Sequence, residues 1–136
     1  MHSTITMELY WLVLTTLMTA LIFAPYILNR MLEHGAWPAL WNPQPDTHPQ
    51  AQWAQRMMRA HANAVENLVV FAPLVLALQI TGMNTTITAS ACMVYFFARL
   101  AHVILYTFGV PLLRTLAFVT GVACQMILGL TLLQVL

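Results

Sequence analysis

The chain has 136 residues, of which 60% are hydrophobic and only 7% are charged. A soluble domain carries about 25% charged residues, so this composition excludes a water-soluble surface and favours a protein whose solvent is lipid. With five basic residues, all arginine, and a formal net charge of +1, the chain also lacks the dense cationic surface that nucleic-acid binding requires.

Four apolar segments are long enough to cross a bilayer as helices, which takes about 20 residues each. The first, Leu9 to Leu28, carries no charge, and Pro25 predicts a kink near its end because proline lacks a backbone N–H. Hydropathy and turn signals predict helices over about 6–33, 49–80, 85–108 and 111–135. We therefore expect one domain over residues 1–136, an all-α, integral membrane four-helix up-down bundle.

The connections between these helices differ in length. Residues 35–50 form the one sizeable predicted loop, which contains four prolines, and Pro49 suits the first turn of the second helix. Gly82 and Gly109 are expected to end the second and third helices. Cys92 and Cys124 fall singly in apolar runs without metal-ligand spacing, so we expect buried cysteines and no metal site.

All five arginines flank the first and third connections, at positions 30, 56, 59, 99 and 114. The positive-inside rule then places these two connections in the cytoplasm and both termini in the periplasm. The short, lysine-free chain leads us to expect a multi-pass protein of a bacterial inner membrane.

Two predicted helices carry polar stripes within their apolar sequence. On the second helix, Arg56, Arg59, Asn63 and Glu66 are spaced to share one face, which Asn67 joins. On the third, Arg99, His102 and Tyr106 share a face, and Arg114 and Thr115 open the fourth helix on the same side. Such side chains are costly in lipid, so they either fix helix packing or bind a ligand. Several guanidiniums around one carboxylate suit an anionic ligand that also has an amine.

The segment RAHANAVEN, residues 59–67, and the segment ARLAHVILY, residues 98–106, resemble the second- and third-helix signatures of the MAPEG family (membrane-associated proteins in eicosanoid and glutathione metabolism). The run LRTLAF, residues 113–118, resembles the start of its fourth helix. The chain looks like a bacterial member similar to microsomal glutathione transferases. Ala62 and Phe118 replace an arginine and a tyrosine found in some eicosanoid-making members, which argues against a dedicated prostaglandin synthase.

The resemblance implies a homotrimer that binds glutathione, as co-substrate, between subunits near the cytoplasmic side. It assigns Arg114 to the glutathione sulfur as the catalytic residue. The other implied or candidate glutathione contacts are Arg56, Arg59, Asn63, Glu66, Arg99, His102, Tyr106 and Thr115, and Arg30 matches less well. The implied activity is that of a glutathione transferase, with possible peroxidase activity, acting in detoxification on a hydrophobic electrophile or a lipid hydroperoxide.

Two other functions remain open from the sequence. A non-catalytic membrane scaffold or lipid-binding protein could keep the same fold, since the family also contains a member that only activates a lipoxygenase. A small transporter would need a path that is polar along its whole length, whereas the arginines here stay on one side.

Overall fold

A computed structural model describes residues 4–42 and 50–136, and every regular element in these ranges is a helix. The elements are α1 (Met7–Leu21), α2 (Phe23–His34), α3 (Ala36–Leu40), α4 (Gln52–Thr81), α5 (Thr86–Thr107) and α6 (Pro111–Leu132). Four segments are long and apolar enough to span a membrane, namely Met7–His34, which joins α1 and α2, and the helices α4, α5 and α6. The expected all-helical class and the four spans are confirmed.

The first span is interrupted where its sequence lacks a backbone donor. α1 ends at Leu21 and α2 begins at Phe23, with Ile22 between them. Pro25 is the third residue of α2, and the N–H it lacks would have bonded to the carbonyl of Leu21. The regular helix is therefore interrupted three residues before the proline, near the predicted kink.

The long loop predicted over residues 35–50 is partly helical. Gly35, at φ +88°, ends α2, and the next five residues form α3. The rings of Trp37 and Trp41 stack there with centroids 5.3 Å apart. The prolines of this segment predicted a loop and gave no sign of the short helix α3 or of the ring stack at its end. α4 begins at Gln52. The prediction that Pro49 lies in its first turn concerns a residue outside the described ranges.

The α4–α5 connection is short because both helix ends are capped. Gly82 adopts the left-handed conformation at φ +67°, and its N–H bonds to the carbonyl of Leu78, as expected for a C-cap. At the start of α5, Thr85 and Thr88 form a capping box in which each side chain bonds to the other's backbone N–H. This tight link returns the chain antiparallel to α4.

Long-range contacts fix how the helices run. α1 packs on α4 and α5, and α6 packs on the same two helices. Near the chain's start, Thr6 Oγ1 donates to Gln79 Oε1 at 2.9 Å, whereas Arg56 Nε donates to the Thr107 carbonyl at the other end. We call this second end, formed by the end of α2, the start of α4, the end of α5 and the start of α6, the arginine end.

The core lies mainly toward the opposite end. It contains a stack of Phe71 on Tyr95, with ring centroids 3.8 Å apart. Cys92 and Cys124 are buried within this core as free cysteines, as expected. Glu8, which sequence reasoning did not single out, is only 3% exposed. Its carboxylate lies 2.6 Å from Thr88 Oγ1, and this contact ties the start of α1 to the start of α5.

Candidate functional site

A buried chain of polar groups links α4, α5 and α6 in the arginine half of the bundle. Arg99 Nη2 donates to Asn63 Oδ1 at 2.5 Å, and Asn67 Nδ2 donates to the Asn63 carbonyl at 2.9 Å. Gln125 Nε2 in turn donates to the Asn67 carbonyl at 3.2 Å. We call Asn63, Asn67, Arg99 and Gln125 the amide network. It holds three helices at one depth by bonds that lipid cannot replace.

Arg99 is the centre of this network and is 1% exposed. Among the residues that the structure describes, its Nε and Nη1 have no hydrogen-bond partner, and neither does the nearby hydroxyl of Tyr95. A buried guanidinium is costly unless its donors are paired, so Asn63 carries an unusual share of its stabilisation. Gly121 makes room for the group, because a Cβ there would lie 3.5 Å from Arg99 Cδ and 3.7 Å from the Tyr95 ring.

His102 connects the amide network to the end of α5. It is 4% exposed, and its Nδ1 lies 3.4 Å from Arg99 Nη2. Because arginine has only donors, this contact favours the tautomer in which Nδ1 accepts and Nε2 carries the proton. The imidazole also packs near the rings of Tyr106 and Phe118, with centroids 5.6 and 6.1 Å away. His102 is therefore fixed on several sides.

Arg114 sits on the face of an aromatic ring at the arginine end. Its Cζ lies 4.4 Å from the centroid of Tyr106, a cation–π contact between the start of α6 and the end of α5. Both side chains are half-buried. An aromatic ring holds the guanidinium without neutralising its charge, since the ring is itself uncharged.

Thr115, the next residue, is exposed, and its hydroxyl donates to the carbonyl of Pro111 at 3.1 Å. Arg30 is half-buried near the end of α2. Both residues therefore lie at the arginine end with Arg114, but Thr115 faces outward from the single chain.

The predicted stripe on the second helix divides into two groups. At about 100° per residue, Arg56, Arg59, Asn63, Glu66 and Asn67 cover an arc of about 100°. The inner edge holds Asn63 and Asn67, which enter the amide network. The outer edge holds Arg59 and Glu66, which are exposed. The five residues do share one arc of the helix, and the boundary of the bundle falls within it.

Arg56 lies at the inner edge of this arc, between Asn63 and Asn67, and packs against the end of α5. Its Nε donates to the carbonyl of Thr107 at 2.9 Å, and a Cβ on Gly109 would lie 3.4 Å from its guanidinium carbon. Gly109 has φ +75°, so both its conformation and this contact favour glycine. Arg56 and Arg59, with Gln52 and Gln55, line a polar cleft of about 340 Å³.

Sequence reasoning missed the partners of these residues. Gln125 and Gly121 stand alone within the apolar sequence of α6, and a lone amide in a span is a signal for an interhelical hydrogen bond. His61, which sequence reasoning did not include in the stripe, contacts α2, since its Nδ1 lies 2.7 Å from the hydroxyl of Tyr26.

The site residues therefore fall in two places. Arg99 and His102 are buried inside the bundle, next to the half-buried Asn63. Arg59, Thr115 and the half-buried Arg114 reach the surface at the arginine end, and Glu66 is exposed at the middle of α4. A comparison with curated proteins found no match. The model of the MAPEG family, which includes glutathione transferases, peroxidases and eicosanoid synthases, matches residues 7–134. The match covers nearly the whole chain, so the chain belongs to the MAPEG family.

Proposed function

We propose that this protein is a membrane-bound glutathione transferase, with peroxidase activity toward lipid hydroperoxides. The single observation that carries the proposal is Arg114, a half-buried guanidinium held over the Tyr106 ring. Such a group can stabilise an anion that forms beside it, and a thiolate is the anion that glutathione must supply. Family membership supports glutathione as the co-substrate.

The exposed pair on α4 supports recognition of the peptide part. Glutathione has two carboxylates and one ammonium, and Arg59 and Glu66 offer one group of each complementary charge. Both are exposed in the single chain, although they lie in a helix that spans the membrane. Arg56 and Thr115 at the same end are further candidate contacts.

Those exposed charges also support a homotrimer. An arginine and a glutamate that face lipid are costly, so this face of α4 is better explained by a neighbouring subunit with glutathione between the two. In this arrangement, Arg59 and Glu66 of one subunit hold the peptide while Arg114 and Tyr106 of its neighbour reach the sulfur.

The amide network would act on the site from inside the bundle. Arg99 and His102 are buried, so in this proposal their main role is to position Asn63 and Tyr106, which lie closer to the ligand. A rigid inner layer keeps the surface groups in a productive geometry without adding a charge at the sulfur.

The chemistry then proceeds in two ways from one thiolate. A free thiol has a pKa near 8.5, and a guanidinium nearby lowers the pKa so that the proton leaves to water at neutral pH. In conjugation, the sulfur forms a bond to carbon of an apolar electrophile that arrives from the bilayer, and the group displaced from that carbon leaves as an anion. In peroxide reduction, the sulfur attacks the terminal oxygen of the hydroperoxide, so the O–O bond breaks, the alkoxide takes a proton and leaves as an alcohol, and glutathione sulfenic acid remains. The thiol of a second glutathione then attacks the sulfenic sulfur, which forms the disulfide and releases water. We place the protein in a bacterial inner membrane with periplasmic termini.

The test uses the purified protein in detergent, titrated with glutathione at neutral pH while the ultraviolet absorbance of the thiolate is recorded. We expect a saturable thiolate signal that Arg114→Ala abolishes. In steady-state assays with an apolar electrophile, the same variant should lower kcat by about 10²-fold, the size expected for a lost anion-stabilising donor, and change glutathione affinity only a few-fold.

Matched controls separate the site from general damage. Thr115 and Thr120 are both exposed on α6, and each hydroxyl bonds to the carbonyl four residues earlier. Thr115→Ala should weaken glutathione binding, whereas Thr120→Ala should not. A folded trimer that gives no thiolate signal would refute the catalytic proposal, and equal losses in binding and turnover for Arg114→Ala would refute the role at the sulfur.

A further inference from the structure

The short helix α3 turns away from the bundle at the arginine end. Gly35, which ends α2, has φ +88°, a conformation that favours glycine, and a Cβ on it would lie 3.5 Å from Pro38 Cδ. Glycine at this turn therefore lets the chain leave the direction of α2. α3 packs mainly on α2, and none of its residues is buried.

The surface of α3 is apolar although most of it is uncovered. Trp37, Leu40 and Trp41 are 69%, 68% and 58% exposed. Residues 36–41 carry no charge, and the two indole N–H groups are the only polar side-chain groups among them. Trp37 and Trp41 are four residues apart, so they share one side of the helix, where their rings stack. We call Trp37, Leu40 and Trp41 the tryptophan patch.

The length of the first span sets the depth of this patch in the membrane. Met7–His34 has 28 residues, which correspond to about 42 Å of helix. The hydrocarbon core of a bilayer is about 30 Å thick, and the bilayer with its headgroup regions is about 40–45 Å thick. A span of this length reaches the headgroups on both sides. α3 begins two residues after His34, so it lies at the level of the headgroups.

Two other positions for the tryptophan patch fit less well. A deeper position would bring the polar residues Glu33 and His34 into hydrocarbon, together with the turn at Gly35, where the backbone leaves the regular helix. A position in water would expose three large apolar side chains to solvent. At the interface, the ring faces meet acyl chains while the indole N–H groups can donate to ester carbonyls.

We propose that α3 is an interfacial anchor, whose tryptophan patch binds the layer of glycerol groups and ester carbonyls in the leaflet at the arginine end. The partner is the lipid of that leaflet, and not a second protein. The anchor fixes how deep the arginine end sits in the membrane. This role does not depend on the proposed activity.

Depth-dependent fluorescence quenching of the full-length protein in liposomes tests the anchor. Phosphatidylcholine carries a nitroxide quencher at the headgroup, near the glycerol end of an acyl chain or near its methyl end, and acrylamide probes exposure to water. The signal of the two tryptophans is the difference between the wild type and the double variant Trp37→Phe/Trp41→Phe. We expect this signal to lose most intensity to the two shallow labels, less to the deep label and least to acrylamide.

A matched tryptophan in the middle of a span serves as the control. Val119→Trp, added to the double variant, places an indole on α6 at a position 55% exposed, against 58% for Trp41. This indole should lose most intensity to the deep label. Strongest quenching of the Trp37 and Trp41 signal by the deep label or by acrylamide would overturn the proposal. Shielding of that signal from every quencher would also overturn it, since a second copy of the chain or another segment would then cover the patch.

Discussion

The amide network makes a quantitative prediction about how unequally its two central residues contribute to stability. Arg99 is 1% exposed, and Asn63 Oδ1 is the side-chain oxygen that accepts from its guanidinium. Asn63→Leu removes that acceptor and leaves a buried cation without it, which should cost about 3 kcal/mol, the upper end of the range for a hydrogen bond to a charged group. Arg99→Met instead removes the charge and fills similar space.

The second change should cost less, because Asn63 Oδ1 still has Asn67 Nδ2 at 3.3 Å. One lost hydrogen bond without an orphaned charge corresponds to about 1 kcal/mol. Once Arg99 is methionine, adding Asn63→Leu no longer strands a guanidinium. The double variant should therefore be more stable than Asn63→Leu alone, with a coupling of about 2–3 kcal/mol.

The assay is denaturant unfolding in mixed detergent micelles, followed by far-ultraviolet circular dichroism for the four proteins of the cycle. Thr120→Ala, which removes an exposed hydroxyl on α6, provides a baseline for a surface substitution. Equal costs for the two single variants, or costs that simply add in the double variant, would show that Arg99 obtains its stabilisation elsewhere.

Two further predictions concern the residues around Arg114 and Arg99. Tyr106→Leu removes a cation–π contact of about 0.5–2 kcal/mol and should lower kcat about 3- to 30-fold. Tyr106→Phe keeps the ring under Arg114 and should lower kcat less. Similar losses in both variants would show that the hydroxyl of Tyr106, and not its ring, is the group that matters. Gly121→Ala adds a Cβ at ordinary contact distance from Arg99 and should change the melting temperature little. Gly121→Leu overfills that space and should cost about 1–3 kcal/mol, so an unchanged melting temperature for it would contradict the packing described.

Much of the fold could be predicted because lipid imposes simple requirements on sequence. Uninterrupted apolar length located the four spans, and Pro25 located the interruption of the first. Gly82 was predicted as a C-cap from its position alone, and it adopts the left-handed conformation. The short helix α3 was missed because its residues are too few for a periodic signal.

The candidate site was less predictable, because residue spacing shows which side chains share a face of a helix but not which part of that face is buried in the bundle. The spacing of Arg59, Asn63 and Glu66 correctly grouped them within one arc, but it could not show that the bundle boundary separates Asn63 from the other two. Arg99 was treated as a ligand contact, and only tertiary packing reveals that it is enclosed by Asn63 and Gly121. Pairings between distant residues depend on the rotation of each helix, which a single sequence does not contain.

The contact between Arg56 and Gly109 has a consequence for the orientation of Arg114, the residue that we propose for stabilising the thiolate. The turn at residues 108–110 sets the rotation of α6 relative to α5, and Arg56 on α4 clamps that turn through the Thr107 carbonyl. One residue more or less in the turn would rotate α6 by about 100° and shift it by about 1.5 Å, which carries Arg114 off the Tyr106 ring. The direction in which Arg114 points is therefore set by the length of a three-residue turn, and α4 holds that turn in place.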